Sequence, residues 1–403
     1  MKVAGVPSEF NPFHHGHEYL LRAVRARLGE DTAIVCAMSG NFAQRGECAL
    51  YRKHARAEAA VRCGADLVLE LPLPWALSSA EGFGQGMTEV LSATGIITHL
   101  CFGSESGDAG ALGEAAEVLL RPEIDMLIRC ALQSGVSYAA ARQQACEALS
   151  PGAGELLTRP NDILGIEYIK ALEKTNSAME AGTISRVGAR HDGTGDGVFQ
   201  SAKERRRRCA AGEDISPLLP GSAAAVFRRE AEHGRGPVTM ETLETALLSR
   251  LRMLPPEVFD ALPDASEGLG RRLYTAVREG GSLAAVLDAA KTKRYAASRL
   301  RRMLLCACLG LRAGDRDGGV PYLKVLALSS RGRALLREMR GAARLPVLTK
   351  PAAVTALSAR ARRIFSLEAD AGDLYALGYQ NPEQRRAGCD WRETPFVGYS
   401  RHS

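Results

Sequence analysis

Glu9-Phe10-Asn11-Pro12-Phe13-His14-His15-Gly16-His17 follows the short apolar run Val3 to Val6 and precedes a stretch with Tyr19, Leu20, Ala23 and Val24 on one helical side. Strand, tight turn and helix in that order predict the junction where open α/β sheets place phosphate sites. A helix opening near Gly16 is expected to turn backbone N–H groups and the positive end of its dipole into the turn. Gly16 leaves the backbone open to close approach, and Pro12 fixes the chain ahead of the histidines. His14 and His17 flank the same spot. The bland alternative is a pair of loop histidines at the surface, or ligands of a stray metal.

Outward from this stretch the first half alternates strand and helix. Thr32 to Met38 reads as a buried strand ending in the polar loop Ser39 to Glu47, and Arg52 to Cys63 as a helix stopped by Gly64. Ala65 to Leu71 is a second strand, Glu81 to Thr94 a helix, and His99 to Phe102 a strand ending at Gly103-Ser104-Glu105. This alternation predicts an α/β fold, a Rossmann-like parallel sheet with helices on both faces. The loops at Asn11, Ser39 and Gly103 should gather on one edge. Pro160-Asn161-Asp162 opens a further helix in which Asn161 is either an N-cap or a site residue. A strand-like segment, Gly182 to Val187, follows. Leu218-Leu219-Pro220-Gly221 reads as a boundary between an α/β domain, 1–220, and a mostly helical domain, 221–403.

At 403 residues the chain is too long for one compact core, and its 46% hydrophobic content is ordinary for globular proteins. No apolar run approaches the roughly 18 residues of a membrane span. Lys2 leads directly into the first strand, so no signal peptide and a cytoplasmic location are expected. The ten cysteines form no regular framework; Cys306 and Cys308 lack a partner pair, so neither zinc nor any other resident metal is expected. The net charge of +6 is modest, but cations cluster at Lys203 to Arg208 and Lys291 to Arg302 with few acids among them. Such clusters are footprints for polyanions, against the plainer reading of a solvated helix face. Tyr295, among the second cluster, either stacks on an unpaired base or packs on the core.

The His-x-Gly-His pattern in this setting resembles the signature of the nucleotidyltransferase superfamily, whose histidines donate hydrogen bonds to ATP phosphates. A finer resemblance, to the bacterial tRNA(Met) cytidine acetate ligases, rests on several motifs in order. They are Glu9 to His17, Met38 to Phe42 with Gln44 to Glu47, Ala65 to Val68 with Glu70 to Pro72, and Phe102 to Glu105. Pro160 to Gly165, Arg186 to Ala189, Lys291 to Tyr295 with Arg299 and Arg302, and Pro321 to Leu323 with Val325 and Leu326 continue it.

The resemblance implies that acetate and ATP give acetyl-adenylate and pyrophosphate, after which acetyl passes to the exocyclic amine of the wobble cytidine of elongator tRNA(Met). It implies His14 and His17 as catalytic residues. It lines the ATP site with Pro7, Ser8, Glu9, Phe10, Asn11, Pro12, Phe13, His14, His15, Gly16, His17, Glu18, Tyr19 and Leu20, completed by Gly103, Asn161, Arg186 and Val187. Mg²⁺ is expected as the ATP counter-ion. Superfamily members carry a second phosphate motif at a helix start; here it reads Ser201-Ala202-Lys203-Glu204-Arg205-Arg206. Lys203 stands where a hydroxyl is usual and Arg205 where an apolar residue packs, leaving Ser201, Lys203 and Arg206 as candidate phosphate ligands. Lys291, Lys293, Arg294, Arg299 and Arg302, expected within about three turns of one helix, are the candidate tRNA contacts. Two other readings are a tRNA- or ribosome-binding protein with a decayed nucleotide site and a small-molecule adenylyltransferase.

Overall fold

The computed structural model describes residues 2–186, 202–265, 268–292 and 294–398. Ten strands are present among them: β1 Val3–Ser8, β2 Ala33–Ser39, β3 Phe42–Ala43, β4 Glu47–Cys48, β5 Leu67–Leu71, β6 His99–Ser104, β7 Glu180–Ser185, β8 Leu323–Leu328, β9 Val347–Leu348 and β10 Phe396–Val397. Eight of them build one sheet in the order β10-β8-β5-β2-β1-β6-β7, with β9 also on β8, while β3 and β4 pair as a small ladder. β1, β2, β5, β6 and β7 are parallel, as the strand–helix alternation predicts. The chain runs from β1 outward to β2 and β5, then returns to the other side of β1 for β6 and β7. The strand order therefore reverses at β1/β6, and the C-terminal ends of β1, β2, β6 and β7 share one edge.

Alternating residues of the strands feed two different cores. Val3, Val35, Leu69 and Phe102 face the helices Ala80–Ala93 and Pro160–Lys174, whereas Ala4, Ile34, Met38 and Val68 face α1 (His15–Leu28) and α2 (Lys53–Arg62). Both faces are covered, which is why these strands are apolar almost throughout.

The expected boundary at residue 220 does not divide the sheet. β8 returns from the second half and pairs antiparallel with β5, Leu67 opposite Leu328 and Glu70 opposite Lys324. Lys324 interrupts the apolar run Leu323–Leu328 yet is buried, because its ammonium lies 3.0 Å from Glu70 and 3.5 Å from Glu368, beside Asp390. The helix Ala359–Ala376 ties the halves further. Its Ile364 and Phe365 join the sheet core, while Leu367, Ala371 and Tyr375 join a helical core with Leu243, Leu247, Leu300 and Met303. That helical core also takes Phe42 and Leu77 from the first half.

The basic stretch is less helical than expected. Its helix spans Ala297–Leu309, so Lys291 and Arg294 precede it in irregular chain; Lys293 lies outside the described residues.

Candidate active site

β1 delivers the histidine stretch to the switch-point edge. Ser8 donates its hydroxyl to the Ala37 carbonyl at 3.1 Å, continuing the β1–β2 ladder on which Pro7 sits opposite Ala37. Phe10 then adopts φ 46°, a left-handed conformation that costs a phenylalanine about 1–2 kcal/mol. Its ring is held between Phe13 at 4.9 Å and His17 at 5.0 Å. Asn11 is buried and accepts the Leu50 N–H at 2.9 Å, so it braces the loop. Glu9 does the same by accepting the Gln44 N–H at 2.7 Å.

His14 is the N-cap of α1, and the cap is built from imidazoles. His14 Nδ1 accepts the Gly16 N–H at 3.1 Å, and His17 Nδ1 accepts the His14 N–H at 3.2 Å. The two rings stack with centroids 3.7 Å apart and 19° between planes. An imidazole whose Nδ1 accepts carries its proton on Nε2. Both rings are neutral near pH 7: burial, then the charges of His17, Arg205 and Arg186, hold His14 well below its usual range. Burial followed by Arg186 and Arg205 brings His17 down to about 3. The pair thus presents two uncharged Nε2–H donors whose orientation the backbone fixes.

This corrects one expectation. The helix start is not open to a ligand at every N–H, since His14 takes those of Gly16, through its ring, and of His17 and Glu18, through its carbonyl. Gly16 is confined by the same ring, for a Cβ there would lie 3.0–3.1 Å from it. His15 turns aside to Glu18 at 3.3 Å. Pro12 is buried, whereas Tyr19 and Leu20 are partly exposed on α1.

Opposite β1, the end of β6 and the start of Pro160–Lys174 interlock. Asp162, fully buried, accepts from Ser104 Oγ at 2.6 Å, from Glu105 N–H at 2.9 Å and from Ser106 N–H. Glu105 in return accepts the N–H groups of Asn161 and Asp162, each at 3.0 Å, and the Asn161 side-chain amide. The helix cap position belongs to Arg159, so the N-cap reading of Asn161 is set aside. With its amide on Glu105, Asn161 turns its Oδ1 to Arg186, 3.4 Å away. Arg186 also runs past Gly103, where a Cβ would sit 3.5 Å from its Cγ.

The structure therefore brings together His14, His17, Gly103, Asn161 and Arg186. From the helix Ala202–Ala210, Arg206 reaches the Asn11 carbonyl at 3.3 Å, and Arg205, only 1% exposed, lies close enough to depress both histidines. Arg205 stands where the resemblance expects an apolar residue, and it is buried as such a residue would be. Burial and Arg186 bring its own guanidinium down to about 10. Lys203 is exposed on that helix, and Val187 and Ser201 lie outside the described residues.

Arg302 does not belong with the outward cations. It is buried against the Gln44 carbonyl at 3.5 Å, while Arg301 donates to the Arg45 carbonyl and pairs with Glu47. Lys291 and Arg294 are exposed; Arg299 donates to the Asp264 carbonyl at 2.7 Å and lies 5.0 Å over the Tyr295 ring. Tyr295 packs at the rim of the helical core, in keeping with the plainer of its two readings. Thr292, Arg294 and Tyr295 share an open pocket with Arg272 and Gly135.

A mostly parallel sheet with two fixed imidazoles at its switch point is in keeping with a nucleotidyltransferase. Residues 1–390 match the family described as HIGH Nucleotidyl Transferase. The chain is 35% identical to the tRNA(Met) cytidine acetate ligase of Fervidobacterium nodosum, over 97% of this chain and 98% of the relative. It is 40% identical to the ligase of the same name from Syntrophotalea carbinolica, over 87% and 85%. A crystal structure of Thermotoga maritima TmcAL bound with alpha-thio ATP superposes with a TM-score of 0.92 at 33% identity, covering 99% of this chain and 100% of that one. The chain belongs to the tRNA(Met) cytidine acetate ligase family.

Proposed function

We propose that the protein joins acetate to ATP and passes the acetyl group to the exocyclic amine of the wobble cytidine of elongator tRNA(Met). An acetate oxygen attacks the α-phosphorus, the bond from that phosphorus to the bridging oxygen breaks, and pyrophosphate leaves. The cytidine amine then attacks the acetyl carbon, AMP leaves, and the amine proton is lost to solvent. Acetate needs this activation because it has no leaving group that an amine can displace.

The observation that carries the reading is the double Nδ1 acceptance of His14 and His17. It leaves two Nε2–H donors that need no reorientation as negative charge builds on the phosphates, each worth roughly 3–4 kcal/mol in the transition state. Arg186, Arg205 and Arg206 supply positive charge around them, and Gly103 and Asn161 complete the wall towards the nucleotide. Mg²⁺ finds no cage here: among the described residues no group of three His, Cys, Asp or Glu is placed to hold a metal, and Glu9 and Glu105 already accept backbone N–H groups. The ion would enter on the ATP phosphates rather than on a cage of side chains. Lys291 and Arg294, exposed, and Arg299, half-buried beside them, form the basic surface for the tRNA, with Lys293 next to them in sequence. Among the described residues no helix is long and apolar enough to cross a membrane, and a tRNA substrate supports a cytoplasmic reaction.

Acetate-dependent exchange of pyrophosphate into ATP tests the first half-reaction, and acetylation of one anticodon-loop cytidine tests the second. Absence of acetate-dependent exchange would leave a binding protein or a transferase of another substrate, and a requirement for acetyl-CoA with acetate inert would refute the adenylate route.

A further inference from the structure

α2 contains a charged residue in a place where the surrounding alanines imply only packing. Arg56 is 0% exposed, yet among the described residues its hydrogen-bond partners are four carbonyl oxygens and no carboxylate. Nε donates to the Tyr51 carbonyl at 2.9 Å. One terminal nitrogen donates to the Glu9 carbonyl, and the other to those of Ser39, at 3.1 Å, and Gly40. A single planar fork thus spans the loop after β1, the loop after β2 and the turn that starts α2.

Burying a cation without a counter-charge costs several kcal/mol unless its donors are met, and an apolar residue would fill the space without that penalty. What the guanidinium adds is geometry, because five donors in one plane fix the positions of the acceptors they reach. The carbonyl it holds on the first loop belongs to Glu9, the residue before Phe10 with its left-handed φ of 46°. Such a conformation persists only where its surroundings over-determine it. Phe10 in turn meets the His17 ring edge-on at 5.0 Å. The line of contact therefore runs from Arg56 through Glu9 and Phe10 to His17.

We propose that Arg56 is a positioning residue for adenylation, holding the loops after β1 and β2 in register so that His17 stays aimed at the ATP phosphates. This rests on the reading of His14 and His17 as phosphate donors. The test is a pyrophosphate-exchange cycle with the full-length protein: R56K, H17A and the double variant, with R56Q as a second substitution and thermal melting as the check on folding. Lysine keeps the charge but cannot span three loops. R56K is expected to melt cooperatively, to lose about 100-fold in kcat, as misplacements near 1 Å do, and to keep its KM for ATP within about 3-fold. In the H17A background the same substitution should cost less than about 3-fold, because the group it positions is gone. An equal loss in both backgrounds, an unchanged kcat in R56K, or failure of both R56K and R56Q to fold overturns the proposal. H17A alone tests the reading beneath it: full exchange there removes the histidines as donors, and the proposal with them. Lost exchange in H17A with equal Arg56 factors overturns the proposal only.

Discussion

The histidine stretch and the basic stretch Lys291 to Arg302 both read as anion sites, and they are built in opposite ways. At the first, the donors are neutral, largely enclosed and oriented by backbone hydrogen bonds at 3.1 and 3.2 Å. At the second, the cations are exposed at Lys291 and Arg294 and lie on irregular chain before a helix. Fixed dipoles stabilise a charge that appears only in the transition state, since they cost no reorganisation when it forms. Exposed cations grip a charge that is always present, and salt competes for it. On the proposed reading, chemistry and holding fall to different kinds of donor.

The largest effect should come from His17. H17A is expected to lower acetate-dependent exchange by about 10²–10³-fold; near-normal exchange would erase the contrast between the two regions. H14A should lose as much activity and also about 1 kcal/mol of stability, read by denaturant titration, because it removes the N-cap of α1. G16A sharpens the point further. Its new Cβ would press on the His14 ring, so exchange should fall by about 10-fold while helix propensity leaves stability equal or slightly raised.

The pH dependence has a definite sign. His17 is neutral in the folded protein down to about pH 3, whereas unfolded histidine takes up a proton near 6.5. Between those values the unfolded state binds more protons, so stability rises with pH across this window and is lost on acidification. Measured on the free protein, the slope between these limits should shrink in H17A. The smallest effect on exchange is expected from K293A/R294A/R299A, which should leave it unchanged. It should weaken tRNA binding and flatten its log–log salt dependence by roughly 0.7–0.9 per lost contact. R302A should do the reverse, costing stability without changing the salt slope, because Arg302 is buried on the loop at Gln44.

The parallel core was legible because each of its strands is a short apolar run closed by turn residues, and His14, Gly16 and His17 carry their chemistry in their spacing. Glu105 was visible only as part of a loop motif; its work, capping the helix that bears Asn161, needs two segments 56 residues apart to meet. Arg205 and Arg56 escaped for a related reason. A buried arginine is distinguished by the carbonyls and charges around it, and those come from other parts of the chain. β8 was missed because six residues, Leu323–Leu328, interrupted by Lys324, look like more of the helical half. Only Glu70, Glu368 and Asp390 explain a lysine inside that strand.

β8 also sets an order of events during synthesis. The five parallel strands leave the ribosome well before residues 323–328, and until these emerge β5 presents an open edge of unpaired backbone groups. Such an edge is a template for pairing with other chains. The nascent protein must therefore carry an unfinished sheet through the more than one hundred residues between β7 at Ser185 and β8 at Leu323, whose described elements are helices. A chain stopped anywhere in that interval would hold every residue of the histidine loop and still be a candidate for aggregation.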